Sequence, residues 1–123
     1  MTPPDTQPAI RTIAMPRDTN PSGDIFGGWI MSQMDLAAGN TAAKIAQGRC
    51  ATIAVEGMTF ITPVHVGDEV TVWAEPSRRG RTSLTMDVSA WARPRHGAEP
   101  VCVTRAKFTF VALDAAGRPR PLP

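Results

Sequence analysis

Hydrophobic and polar residues follow two different periods along this chain, and the change occurs near residue 48. From residue 29 to residue 47, isoleucine, methionine, leucine and alanine dominate and proline is absent. This segment predicts an α-helix that ends at Gly48, since glycine is common directly after helices. Its apolar residues cover most of the circumference, so we expect a nearly enclosed helix.

After Gly48 the period changes to two residues, which indicates β-strands. The chain before the helix contains a short apolar segment at residues 9–15, a plausible strand, and a loop of turn-forming residues at 16–28. One strand, one helix and four further strands with short connections are typical of an α+β fold, in which an antiparallel sheet curls around the helix. The four later strands are predicted at residues 51–62, 69–77, 83–92 and 100–113.

The alternation also assigns side chains to the two faces of the sheet. Trp73 and Trp91 fall on the outer face, away from the helix. Two exposed tryptophans on one face would suggest a subunit interface. The inner face of the last strand is predicted to carry Thr104, Ala106, Phe108, Phe110 and Ala112.

Length and composition indicate one ordinary globular domain. The chain has 123 residues, of which 42% are hydrophobic and 20% are charged. We place the domain at residues 9–114, between a flexible segment at 1–8 and a proline- and arginine-rich tail at 115–123. Because the prolines gather near both ends and around residues 94–100, we expect the two ends to be extended and poorly packed unless a partner covers them.

The charge pattern argues against nucleic-acid and membrane partners. The net charge is only +2, and the basic residues are scattered except at Arg78–Arg81, which has no interleaved aromatic residues. No apolar run approaches the roughly 20 residues that span a bilayer, and the first residues lack the pattern of a signal peptide. We therefore expect a cytoplasmic protein in which Cys50 and Cys102, which lie far apart, are reduced packing residues.

Asp35 is the only charged residue between Asp24 and Lys44. A carboxylate in apolar surroundings is costly unless its neighbours stabilise it, so Asp35 either reaches water or a backbone amide, or has a function. Gly28 lies seven residues earlier, about two helical turns or roughly 10 Å along the axis, on nearly the same face. Free amides at a helix start can stabilise an oxyanion. The helix-start amides and the Asp35 carboxylate together have the layout for adding water to a carbonyl group.

Other chemistry has weaker support. Asn20 and Asp24 are turn or helix-capping residues, or Asn20 holds the attacking water. Glu56 is a weaker candidate than Asp35. It is considered because it shares a predicted strand face with Met58 and Phe60. There is no nucleophile elbow, phosphate-binding loop, dinucleotide fingerprint or paired-histidine zinc motif. The only histidines, His65 and His96, fall in loops, so we propose neither a histidine base nor a metal site.

The segment Gly23–Asp35, with Met15–Pro16 and Asp18–Asn20 before it, closely resembles the signature of the YciA-type acyl-CoA thioester hydrolases, a family of hotdog-fold proteins. The resemblance covers the chain from about Arg11 to Pro123. It continues through Ala54–Glu56, Met58–Phe60, Pro63–Val64, Val66–Asp68, Gly80–Ser83 and Phe108–Ala112.

This resemblance implies a hotdog fold, in which a curved antiparallel sheet of about five strands wraps a long central helix. It also implies homodimers with a continuous sheet, often assembled as trimers of dimers, with active sites between protomers. Asp35 would be the catalytic carboxylate, either general base or nucleophile, and Asn20 an active-site polar residue. Gly27 and Gly28 are equal candidates for the oxyanion N–H.

The resemblance further implies a CoA-binding loop. Arg81, Thr82 and Ser83 would meet phosphate or adenine-side groups, next to Arg78 and Gly80, although a solvated basic hairpin is the alternative. We expect the acyl tunnel to follow the helix, and flexible methionines there predict broad acyl acceptance. The tunnel residues would be Met31, Met34 and Phe60.

The predicted activity is hydrolysis of acyl-CoA to a free carboxylic acid and CoA, with no metal and no cofactor besides the CoA of the substrate. One alternative is a non-catalytic acyl-CoA sensor. Another is a hotdog enoyl-CoA hydratase or dehydratase, which would need a histidine and an acid at the helix start, where this chain has no histidine.

Overall fold

The computed structural model describes all residues, Met1–Pro123, as one long helix and five strands. A single 3-10 turn, Pro16–Asp18, precedes the helix. The elements in chain order are β1 (Ile10–Ile13), α1 (Gly27–Ala46), β2 (Cys50–Glu56), β3 (Glu69–Arg79), β4 (Ser83–Arg93) and β5 (Val101–Ala112).

The strands form one antiparallel sheet in the order β1-β3-β4-β5-β2. The consecutive strands β3, β4 and β5 form its centre, and β1 and β2 form its edges. Helix α1 connects the two edge strands, so it must cross the sheet, and it packs against β2, β3, β4 and β5. This confirms the predicted α+β fold with one helix and a curled five-stranded sheet.

The core lies between one face of α1 and the inner face of the sheet. Ile30 and Met34 are fully buried on the helix, and Phe108 and Phe110 are buried opposite them on β5. Each large apolar side chain that is buried contributes about 1.5–3 kcal/mol. The remaining buried helix residues are small and let the sheet approach closely: Ala37, Ala38, Ala42 and Ala46.

The prediction of a nearly enclosed helix is wrong. A stripe with helical spacing stays exposed along α1, because a single curled sheet covers only one side of a helix. Leu36 on this stripe is 61% exposed. The exposed residues of α1 are Gly28, Met31, Ser32, Asp35, Leu36, Asn40 and Lys44.

Element ends differ from the prediction where glycine or backbone geometry intervenes. The helix begins two residues earlier than expected, and its left-handed end residue is Gln47, with φ of 54°, rather than Gly48. Strand β2 ends at Glu56 instead of near residue 62, because Gly57 has a positive φ of 73° that L-residues rarely adopt.

The outer-face tryptophans are buried, so the prediction that they form an exposed interface is wrong. Trp73 and Trp91 are 6% and 2% exposed and pack edge-to-face with ring centroids 6.4 Å apart, next to Cys102. The first residues of the chain fold back over them. The indole N–H of Trp73 donates to the carbonyl of Thr6 at 2.9 Å, and the amide of Ala9 donates to Val72.

The two chain ends are better packed than their composition predicts. At the C-terminal end, Leu113 forms an isolated β-bridge with Pro119. The Arg120 side chain donates to carbonyl groups of the helix and of Leu113, and Leu122 packs partly against the core. Prolines here fix an extended segment that hydrogen-bonds along the sheet end.

Both cysteine thiols are expected to react slowly at neutral pH. Cys50 is half-buried and Cys102 is buried, and neither forms a disulfide. Burial raises the pKa of both thiols, so the reactive thiolate is scarce at pH 7. Mass spectrometry of the folded chain after iodoacetamide treatment should show little labelling at pH 7 and progressively more as pH rises. Labelling at pH 7 as fast as in the unfolded chain would contradict this.

Candidate active site

Asp35 lies on the exposed stripe of α1, in a cavity of about 300 Å³. The Thr52 hydroxyl of β2 donates to Asp35 Oδ1 at 2.6 Å, a distance typical of a hydroxyl bound to a carboxylate. The other carboxylate oxygen has no hydrogen-bond partner in the chain. The carboxylate is therefore held on one side and open on the other. The cavity is lined by Met31, Ser32, Asp35, Thr52, Val55 and Phe108.

A β-bulge in β2 aims Thr52 at the helix. Thr52 pairs with Phe110 and Ala54 with Thr109, which leaves Ile53 as an extra residue. Residues three apart in a regular strand point to opposite faces, yet Thr52 and Val55 line the same cavity because of this extra residue. Regular alternation gives no sign of the bulge, and the sequence interpretation therefore missed Thr52.

The same bulge places Glu56 on the opposite face of the sheet from Asp35. Glu56 pairs with Lys107, and both line a cavity of about 630 Å³ on the outer face, together with Trp73 and Arg105. Regular alternation had placed Glu56 on the face of Phe60. The structure separates the two carboxylates onto opposite faces of the sheet, so the interpretation of Glu56 as a site residue is wrong.

Helix α1 begins with two unpaired amides. The amides of Trp29 and Ile30 both donate to the carbonyl of Phe26, whereas those of Gly27 and Gly28 have no acceptor in the chain. Phe26 is the N-cap residue and provides no side-chain cap, so the interpretation of Asp24 as the cap is wrong. A missing side-chain cap costs about 0.5–2 kcal/mol, and here it leaves two donors available to a ligand.

The two glycines have different surroundings. A Cβ atom on Gly27 would lie 3.3 Å from the Phe60 ring, whereas a Cβ on Gly28 would meet nothing within 4 Å. Gly28 shares the exposed stripe with Asp35. Gly27 opens onto a second, mostly apolar cavity of about 290 Å³, separate within one chain from that of Asp35. Its lining residues are Ile25, Gly27, Ile30, Phe60, Ile61, Thr62, Pro63, Val64 and Val103.

The acyl-tunnel residues are divided between these cavities and the core. Met31 lines the Asp35 cavity and Phe60 lines the Gly27 cavity. Met34 is fully buried between the helix and the sheet and lines neither cavity. The expectation that Met34 lines the tunnel is wrong, because its position on the helix faces the sheet.

Asn20 organises the loop before the helix. Its side-chain oxygen accepts from the amides of Ser22 and Asp24 at 2.9 and 3.1 Å, as a turn residue would. The side-chain NH₂ group has no partner in the chain and is free to donate to a ligand. Asn20 lines neither of the two cavities described above.

The hairpin between β3 and β4 carries the basic residues predicted to meet CoA. Gly80 donates to the carbonyl of Ser83 at 2.8 Å, and a Cβ on Gly80 would lie 2.7 Å from the Ser83 hydroxyl, so a larger residue at this tight turn would displace that hydroxyl. The Arg78 and Arg81 side chains form no ion pair or hydrogen bond in the chain. Arg79 donates to the carbonyl of Pro123.

No three side chains among histidine, cysteine, aspartate and glutamate are grouped so that they could hold a metal ion. No helix of the structure is both long enough and apolar enough to cross a bilayer.

Comparisons with known proteins agree with this fold. Residues 22–99 match the family model of the thioesterase superfamily. The acyl-CoA thioester hydrolase YciA of Salmonella typhimurium is 48% identical over 124 residues, which covers 98% of this chain and 92% of that protein.

Two solved structures are similar throughout the chain. One is the aspartate-to-alanine mutant of HI0827, a hexameric broad-specificity acyl-coenzyme A thioesterase, with a TM-score of 0.91, 48% identity and coverage of 95% of this chain and 86% of that chain. The other is the acyl-CoA hydrolase of Staphylococcus aureus in complex with butyryl coenzyme A, coenzyme A and coenzyme A disulfide. Its TM-score is 0.85 at 29% identity, covering 93% and 70% of the two chains.

These matches confirm both the hotdog fold and the resemblance found in the sequence. The chain belongs to the thioesterase superfamily, within the family of YciA-type acyl-CoA thioester hydrolases.

Proposed function

We propose that the chain hydrolyses acyl-CoA thioesters to a free carboxylic acid and CoA. One observation carries this proposal: the half-free carboxylate of Asp35 shares a helix with the two unpaired amides of Gly27 and Gly28. The first group can activate water and the second can bind a developing oxyanion. The activity of the relatives supports the same assignment.

In the proposed mechanism Asp35 acts as general base. Thr52 holds Oδ1, so the free oxygen takes a proton from water as the water oxygen attacks the thioester carbonyl. The amides at Gly27 and Gly28 stabilise the oxyanion, the carbon–sulfur bond breaks, and the CoA sulfur leaves with the proton returned by Asp35. Direct attack by Asp35 to form a mixed anhydride uses the same groups. No step needs a metal ion.

Asn20 is proposed to donate its free NH₂ group to the carbonyl or to the attacking water. Variants of the Staphylococcus aureus enzyme with one aspartate or one asparagine replaced by alanine have been solved. Those two residues are the same number of positions apart as Asn20 and Asp35. The matching separation supports their assignment as a functional pair.

We infer a homo-oligomer with active sites between protomers, assembled as a trimer of dimers. The cavities of Asp35 and Gly27 are both open to solvent in one chain, so a neighbouring protomer is needed to enclose a substrate there. Leu36 on the helix stripe and Ile53 on edge strand β2 are exposed apolar residues that a second copy would cover. The hexameric state of HI0827 supports this assembly.

The nucleotide part of CoA is assigned to the β3–β4 hairpin. Arg78 and Arg81 have free guanidinium groups, which suit phosphate, and Gly80, Thr82 and Ser83 shape the turn beside them. Met31 and Phe60 remain the proposed contacts for the acyl chain.

Replacing Asp35 with asparagine should abolish most of the activity without affecting folding. Asp35 is exposed, and asparagine keeps its size but cannot accept the proton, so kcat should fall by about 100-fold or more. Loss of the thioester ultraviolet absorbance measures the rate without interference from the two protein thiols. Asp24→Asn is the matched control, because that side chain forms no hydrogen bond in the chain. A folded Asp35→Asn variant with wild-type kcat would refute the assignment.

Replacing Thr52 with valine should lower kcat while leaving KM nearly unchanged. Valine keeps the shape but cannot donate to Asp35, so the carboxylate loses its fixed orientation, and a misplaced group costs about tenfold or more in rate. Thr12→Val in β1 is the control, since the Thr12 hydroxyl has no hydrogen-bond partner. Equal kcat values for Thr52→Val and the wild type would show that Thr52 does not position the base.

Acyl chains of different length should all be hydrolysed. Met31 and Phe60 are 39% and 46% exposed, and the flexible methionine can adapt to acyl chains of different length. Steady-state kinetics on a series from short to long acyl-CoA should give kcat/KM values that change gradually. A sharp preference for one small polar acyl group would contradict this expectation.

A further inference from the structure

Arg120 joins three parts of the molecule at the end of the sheet farthest from the helix start. Its guanidinium donates from Nη2 to the carbonyl of Ala46 at 2.9 Å and from Nε to the carbonyl of Leu113 at 3.0 Å. Its own amide donates to the carbonyl of Ala112 at 2.9 Å. One residue therefore connects the last turn of α1, the end of β5 and the C-terminal segment.

The sequence leaves space for this guanidinium at Gly48. A Cβ atom there would lie 2.6 Å from Arg120 Nη2, closer than side chains tolerate. Gly48 has no positive φ, so its small size matters here more than its backbone freedom. A cation at this position also interacts favourably with the negative end of the helix dipole and with an otherwise unpaired carbonyl.

The segment fixed by Arg120 then supports the β3–β4 hairpin. Two residues later, the amide of Leu122 donates to the carbonyl of Arg81 at 2.9 Å. On the neighbouring side, the amide of Ala112 donates to the carbonyl of Thr82 at 2.9 Å. The hairpin tip is thus held through its backbone, which leaves the Arg81 side chain free.

We propose that Arg120 is a positioning residue for the Arg81–Ser83 loop, which it holds in the conformation that binds the phosphates of CoA. This inference rests on the proposed function, in which that loop meets the nucleotide. The Arg120 side chain donates to the carbonyl groups of Ala46, Leu113 and Pro121, so we assign it a structural role at this end of the helix and leave phosphate binding to the hairpin. We call the hydrogen bonds of the Arg120 side chain to Ala46 and Leu113 the clamp. Without the clamp the loop must be ordered when CoA binds, and the entropy cost of that ordering lowers affinity.

The decisive experiment compares two substrates. One is an acyl-CoA, and the other is the matching acyl-pantetheine thioester, which carries the same reacting group without the nucleotide. Arg120→Ala should raise KM for acyl-CoA about tenfold with kcat nearly unchanged, because only binding of the nucleotide is affected. Its kinetics with acyl-pantetheine should equal those of the wild type, and the Kd of CoA measured by calorimetry should rise in parallel with KM.

Two further variants separate the clamp from the charge. Gly48→Ala keeps Arg120 but forces its Nη2 atom to shift away, so it should raise KM for acyl-CoA in the same direction by a smaller factor. Arg118→Ala removes an arginine from the same segment whose side chain has no partner in the chain, and it should behave like the wild type. Gly48→Ala also decides the question if Arg120→Ala fails to fold.

Equal loss of activity on both substrates would overturn the inference, since it would show a general structural role. Unchanged KM and Kd for CoA in Arg120→Ala, or an Arg118→Ala variant that weakens CoA as much, would also overturn it. A wild-type chain that hydrolyses neither thioester would instead refute the proposed function, and this inference with it.

Discussion

The packing of one alanine-rich face of α1 against a single curled sheet is the constraint on which the rest of the structure depends. Ile30, Met34 and four alanines bury that face, and a helix 20 residues long is thereby fixed as a rigid body. Because the sheet covers only one side, the opposite stripe is exposed and carries Gly28 and Asp35. Their separation and orientation are set by helix geometry rather than by flexible loops, which is the precision that a catalytic site needs.

Edge strand β2 supplies the hydrogen-bond donor that holds Asp35. Its bulge at Ile53 turns Thr52 toward Asp35 and leaves Glu56 on the other face. An edge position tolerates such a bulge, because the extra residue disturbs pairing with one neighbour only. The same edge leaves Ile53 and Val55 exposed. The strand that completes the carboxylate site is thus also a surface that a second copy can cover.

Local sequence predicted the fold well because its main elements follow strong periods. The helix and the long strands β3, β4 and β5 were predicted to within two residues at each end. Thr52 was missed because a bulge depends on the partner strand rather than on alternation. The burial of Trp73 depends on residue 6, and the clamp of Arg120 on residue 46, so both contacts are too distant in sequence for any local pattern. Among the candidate site residues, Asp35 was predicted from its lone charge within an apolar helix, and Gly27 and Gly28 from their position at the predicted helix start.

The backbone groups at the two ends of α1 are satisfied differently, and the open amides lie at the end nearer to Asp35. At the C-terminal end, Gln47 and Gly48 donate to carbonyls of the last turn, and Arg120 donates to Ala46 from a distant part of the chain. At the N-terminal end nothing in the chain accepts from Gly27 or Gly28, although aspartate and serine lie in the preceding loop. A side-chain cap at the N-terminal end would stabilise the helix, yet the chain provides none there. The two open amides lie about two helical turns from the exposed carboxylate of Asp35, and unpaired donors of this kind are a local instability that is common at functional sites.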